Sequence, residues 1–121
     1  PLHTINPGML TKNARAIMPF GVMGCHSQAM GHTHFLTNVI DFGLDLREAI
    51  DQPRVFAPQQ GPVEVESGIP RATVEGLQRL GHQTTPPAKP IGGGQAIWID
   101  WDEGVLTGAS DPRKDGCALG Y

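Results

Sequence analysis

With 121 residues and a net charge of −3, the chain is long enough for one domain and short for a self-sufficient enzyme of any complexity. Its 9 Lys and Arg are scattered among 12 Asp and Glu, which excludes a basic nucleic-acid face, and no apolar run approaches the roughly 20 residues that span a bilayer. Sixteen Gly and 11 Pro beside 39% hydrophobic residues predict a loop-rich chain of short elements, or a piece of a larger protein whose missing partner completes the core.

Pro1 and Pro7 hold the opening stretch extended. A hairpin is expected next, with Met9–Thr11 and Ala16–Met23 as strands around a polar turn at Lys12-Asn13. Phe20 to Gly24 reads as a buried strand ending in a glycine turn. From Ser27 to Phe42 the spacing predicts a helix, with Ala29, Thr33, Leu36 and Ile40 on one face and Met30, Phe35 and Val39 beside it. An apolar surface so wide implies burial on more than one side. Gly43 is a natural C-cap.

Asp45-Leu46-Arg47-Glu48 has the spacing of a capping box, with Asp for Ser or Thr, and Pro53 must end the short helix it opens. Val63 to Glu66 alternates as a half-exposed strand. A further helix is expected from Pro70, with Val74, Leu77 and Leu80 inward and Gly81 as C-cap. Thr84 to Gly94 reads as a Pro/Gly loop, and Gln95–Trp101 with Val105–Gly108 as a hairpin across Asp102-Glu103-Gly104. The order β-β-α-α-β-α-β-β makes residues 1–121 one α+β domain without repeat or linker.

Residues with chemical potential are few. Gly24 and Cys25 sit between a strand and a helix N-terminus, where free N–H groups and the helix dipole favour a developing oxyanion. The plain alternative is a turn that needs glycine. Cys25 and Cys117 belong to no CxxC pair; free thiols in a reducing compartment are the expectation and a disulfide the alternative. His26, His32, His34 and His82 lack metal-ligand spacing, so packed or solvated histidines are expected and no metal or other cofactor is implied. Gly92-Gly93-Gly94 lacks the Lys-Ser/Thr of a phosphate loop and reads as a flexible loop or a connector. Asp111-Pro112-Arg113-Lys114-Asp115 is charged enough to suggest binding, and the plainer reading, a structural turn with an Asp–Arg pair, is the expectation.

Four stretches, in order along nearly the whole chain, carry a resemblance. They are Asn38-Val39-Ile40-Asp41-Phe42-Gly43-Leu44 running into Glu48-Ala49-Ile50-Asp51-Gln52-Pro53-Arg54; Leu80-Gly81-His82; Gly94-Gln95-Ala96-Ile97; and Gly108 to Gly116, closing with Gly120-Tyr121. Together they resemble the C-terminal part of the small subunit of gamma-glutamyltransferases, members of the N-terminal nucleophile hydrolase superfamily. The resemblance implies part of an αββα sandwich and a precursor that cleaves itself to expose a Thr nucleophile. A Thr hydroxyl is weakly nucleophilic, and its own α-amine can act as the adjacent base.

On that resemblance the chain starts downstream of the Thr, so the nucleophile, the large subunit and the rest of the small subunit lie elsewhere in the parent protein. Pro1-Leu2-His3-Thr4 stands where the family has Pro-Leu-Ser-Ser, whose hydroxyls hold the substrate's α-carboxylate; His3 and Thr4 are therefore candidate substrate ligands. Gly21-Val22-Met23-Gly24-Cys25 stands where the family has Gly-Ser-Pro-Gly-Gly, which makes the peptide groups of Gly24 and Cys25 candidate oxyanion donors. His3 and Cys25 depart from the pattern and suggest an acyl group other than that of glutathione. Related enzymes include glutaryl-cephalosporin acylases and oxamate amidohydrolases. A small-molecule gamma-glutamyl or related amide is the expected substrate. The rival expectation is a catalytically inactive fragment that self-associates.

Overall fold

The computed structural model describes residues 4–120 and resolves two compact units, one formed by the residues up to Asp51 together with those from Gly92, the other by Gln52–Ile91. In the first unit, β1 (Gly8–Lys12) and β2 (Arg15–Met23) form the expected hairpin, and Asn13 and Ala14 turn it with positive φ. A 3-10 turn at Cys25–Ser27 leads into α1 (Gln28–Ile40), which is followed by α2 (Leu46–Asp51). The capping box is present: the Glu48 N–H donates to Asp45 Oδ1 at 2.7 Å, and the Asp45 N–H to Glu48 Oε2 at 3.3 Å. Gly43 takes a φ of +68°, as a residue just past a helix end requires.

Two later strands complete the sheet, β6 (Gly93–Asp100) and β7 (Val105–Ser110), giving the antiparallel order β1-β2-β6-β7. Register decides which residues share a face. Met18, Phe20 and Val22 of β2 align with Ala96 of β6 and Ala109 of β7, and with Phe35 of α1 and Leu46, Ala49 and Ile50 of α2 they form the core. Helix α1 comes close because Gly31 has no side chain; a Cβ there would meet Val22 Cγ1 at 2.6 Å.

The buried residues of α1 are Gln28, Gly31, Phe35 and Asn38, whereas Ile40, expected inside, is 56% exposed. The line 28-31-35-38 is a helical stripe, but two of its members are polar and one is glycine, so apolar periodicity points elsewhere. Asn38 is held inside by hydrogen bonds, Nδ2 donating to the Ala49 carbonyl at 3.3 Å and meeting His34 Nε2 at 3.1 Å.

The opposite face of the sheet carries Met9, Met23, Ile97 and Leu106, which are 54, 55, 43 and 67% exposed. On this face Ile97 and Leu106, with Pro19, Cys117 and Leu119, line a trough of about 460 Å³.

In the second unit, β3 (Val55–Phe56), β4 (Val63–Val65) and β5 (Thr84–Thr85) form a small sheet, β4 and β5 running parallel. Helix α3 (Arg71–Arg79) begins after Pro70 and ends before Gly81, as expected. Val74 and Leu77 are half-buried, while Leu80 is 78% exposed rather than inward. Two segments read as loop are partly strand: Thr84-Thr85 pairs with Val63-Glu64, and Gly93-Gly94 opens β6 against Met23 and Val22. The glycines are therefore a buried strand, not a flexible loop. The Lys114 stem packs over Gly93, with Cγ 2.3 Å from where a Cβ would stand, so a side chain there would have to displace it.

Candidate functional site

Strand β2 ends at Met23, and the chain turns through Gly24 into the short helix leading to α1. Gly24 takes a φ of +148°, and a Cβ on it would meet Ser27 Oγ at 2.3 Å and Gly92 Cα at 3.3 Å. Only glycine fits there. Cys25 also has a positive φ, +49°, which is uncommon for a residue with a side chain. Ser27 closes the turn, its N–H and its hydroxyl each donating to the Gly24 carbonyl at 2.9 Å. As the N-cap and first residue of the helix, Gly24 and Cys25 carry amide groups with no intrahelical acceptor. The helix dipole adds partial positive charge at the same end.

Thr4 comes to this turn from 21 residues away in sequence. Thr4, Ile5, Asn6, Cys25, His26, Gln28 and Ala29 line one cleft of about 440 Å³. Gln28 Nε2 donates to the Thr4 carbonyl. The geometry thus brings together Thr4 and Cys25; His3 lies outside the described residues. Asn6, His26 and Gln28 share the cleft without having been singled out as ligands. The one signal for Gln28 was a polar residue in the first turn of the expected helix, just before Ala29 and Met30.

His32 and His34 are packed or paired, whereas His82 is exposed. His32 Nε2 accepts the Val22 N–H at 3.0 Å, and its ring meets Phe20 edge-on at 5.2 Å between centroids. Burial lowers the His32 pKa from its ordinary value, favouring the neutral ring that this bond requires. Among the described residues no group of three or more His, Cys, Asp and Glu converges to hold a metal ion, and no helix is long and apolar enough to cross a membrane. Both thiols are unbonded and exposed.

Asp111 is a structural keystone. Fully buried, it accepts from the Gly94 N–H at 2.7 Å, the Arg113 N–H at 2.9 Å and Arg113 Nη1 at 3.2 Å. Arg113 Nη1 donates also to the Ile50 carbonyl at 3.1 Å, at the C-terminal end of α2. The expected Asp–Arg turn is therefore what ties β6, β7 and α2 together.

Solved structures share this backbone. A cephalosporin acylase from Bacillus halodurans superposes with a TM-score of 0.88 at 42% identity, over 98% of this chain and 23% of that one. Gamma-glutamyltranspeptidase from Pseudomonas nitroreducens gives 0.87 over 99% of this chain and 63% of that one, its 23% identity speaking for the fold alone. The architecture is α+β and forms part of the N-terminal nucleophile hydrolase fold.

The sequence profile described as Gamma-glutamyltranspeptidase matches residues 1–121, and the chain belongs to that family. Among curated relatives, the oxamate amidohydrolase proenzyme of Klebsiella pneumoniae is 31% identical across 100% of this chain, and the glutathione hydrolase-like YwrD proenzyme of Bacillus subtilis 30% identical across 98%. The chain spans 24% of the length of each.

Proposed function

We propose that this chain is the C-terminal part of the small subunit of a gamma-glutamyltransferase-like amide hydrolase that acts on the monoamide of a small dicarboxylic acid. The observation that carries the reading is the cleft that Thr4 shares with Cys25, the residue that follows Gly24 in the turn. The Thr nucleophile and its α-amine base come from outside these residues. When the nucleophile attacks the amide carbonyl, negative charge moves onto the carbonyl oxygen. In this reading the peptide N–H groups of Gly24 and Cys25, at a helix N-terminus, donate to that oxygen. They are part of the backbone and need not reorganise as charge develops. The Thr4 hydroxyl, with His3, holds the remote carboxylate of the acyl group and so sets which acid is accepted. Water or an amine then takes the acyl group from the Thr ester.

The proenzyme relatives named for glutathione, oxamate and acylase activity differ in substrate, which supports the reaction class over any one acyl donor. The apolar sheet face with Met9, Met23, Ile97 and Leu106 is the surface on which the remaining subunit chain would pack, and in isolation it favours self-association.

The test is to express the full-length protein, verify self-cleavage by intact mass, and assay gamma-glutamyl-p-nitroanilide, glutaryl-p-nitroanilide and oxamate. Release from at least one is expected. A correctly processed protein inert toward all three would overturn the reading.

A further inference from the structure

We infer that Gln28 is a positioning residue for substrate, tying the segment that carries Thr4 to the helix that follows the oxyanion turn. The inference rests on the reading of Thr4 as a ligand of the remote carboxylate.

Residues 4–7 belong to no strand, and Thr4 itself is exposed. Such a segment has no sheet ladder to fix it, so its position depends on individual bonds. Gln28 is a polar side chain only 8% exposed, and its Nε2 donates to the Thr4 carbonyl across 24 positions of sequence. Buried amides are satisfied by definite partners, and here the partner is the backbone of the segment that lacks a sheet ladder. Gln28 is also the first residue of α1, directly after the Cys25–Ser27 turn. One side chain therefore spans the two parts of the cleft.

The geometry has a consequence for recognition. An acyl group with a reacting carbonyl at one end and a carboxylate at the other presents two points whose separation is bounded by its chain length. The site must hold its donors at the same separation, and small displacements are costly. Gln28 sets that spacing without touching the reacting atoms. Its loss should weaken an interaction made equally in ground and transition states, which appears in KM and not in kcat.

The variants are Gln28→Met, which keeps the shape and removes the donor, and Gln28→Glu, which keeps the shape and presents only acceptors. In the processed full-length protein, each should raise KM for glutaryl-p-nitroanilide about 10-fold with kcat within about twofold of wild type. KM for butyryl-p-nitroanilide, which has no remote carboxylate, should stay unchanged. Amide deuterium exchange in the peptide covering residues 4–6 should speed up in both variants, while that of α1 stays as in wild type. Exchange at 4–6 unchanged in both variants would overturn the inference whether or not turnover is measured. So would an equal fall in kcat on both anilides. If Thr4→Val raises KM and Gln28→Met does not, the Gln28 inference fails alone. If wild-type protein is active and Thr4→Val leaves KM for glutaryl-p-nitroanilide unchanged, the assignment of Thr4 fails with it.

Discussion

Gly24→Ala perturbs the oxyanion turn by a single methyl group. At a φ of +148° an L-residue is strained by about 1–3 kcal/mol. The new Cβ would stand 2.3 Å from Ser27 Oγ, so Ser27 must rotate and give up its side-chain bond to the Gly24 carbonyl, about 1 kcal/mol more. On the other side Gly92 Cα, at 3.3 Å, is backbone and can yield only slightly. The destabilisation sums to roughly 2–4 kcal/mol. Relief comes from moving the turn, and with it both proposed donor N–H groups. Turnover of the processed full-length enzyme should fall on the order of 100-fold, as when an oxyanion donor is lost. Cys25→Gly makes the contrasting case: at a φ of +49° it relieves strain of about 1 kcal/mol and keeps the peptide N–H. Steady-state kinetics with urea unfolding on both variants separates the effects. Gly24→Ala with kcat within about threefold of wild type would refute the oxyanion assignment. Loss of activity in a processed Cys25→Ala enzyme would make the thiol itself chemical.

Three further outcomes are expected. Asp111→Ala leaves the Arg113 guanidinium, only 14% exposed, without its carboxylate, and should cost about 3–5 kcal/mol in denaturant unfolding; a loss below about 1 kcal/mol contradicts the keystone role. His32 is shifted below 6.5 by burial, so unfolded chains take up its proton first as pH falls. Its contribution is complete above that value and lost as pH drops through the folded pKa. His32→Leu should therefore lower stability near neutral pH and flatten the acid slope, and a slope identical to wild type would disprove the assignment. The 121-residue chain expressed alone should associate in sedimentation experiments, and Leu106→Glu, on the exposed apolar face, should weaken that association. A monodisperse wild-type monomer at high concentration would count against it.

Much of the local structure was legible because it depends on neighbours within a few residues. The β1–β2 hairpin, the Asp45–Glu48 capping box, the glycines after α1 and α3, and the Asp111–Arg113 turn all follow from short-range chemistry. The family motifs were legible for the same reason. Asp111 bonds to Arg113 two positions along in the chain, and Asn38 to His34 four positions back.

What tertiary structure decided was which surface each element buries and which distant segments meet. Apolar spacing in α1 pointed to Ile40, yet the helix buries Gln28, Gly31 and Asn38, because close approach to Val22 demands glycine and because amides inside need partners. Gly92 to Gly94 read as a flexible loop or a connector, since no sequence rule foretells that Gly93 and Gly94 will pair with Met23 and Val22 far earlier in the chain. The cleft is of the same kind. Gly24 announces a turn by itself, but that Thr4 lies against it depends on a bond from Gln28 across 24 positions, and such long-range contacts leave no periodic trace in the residues that make them.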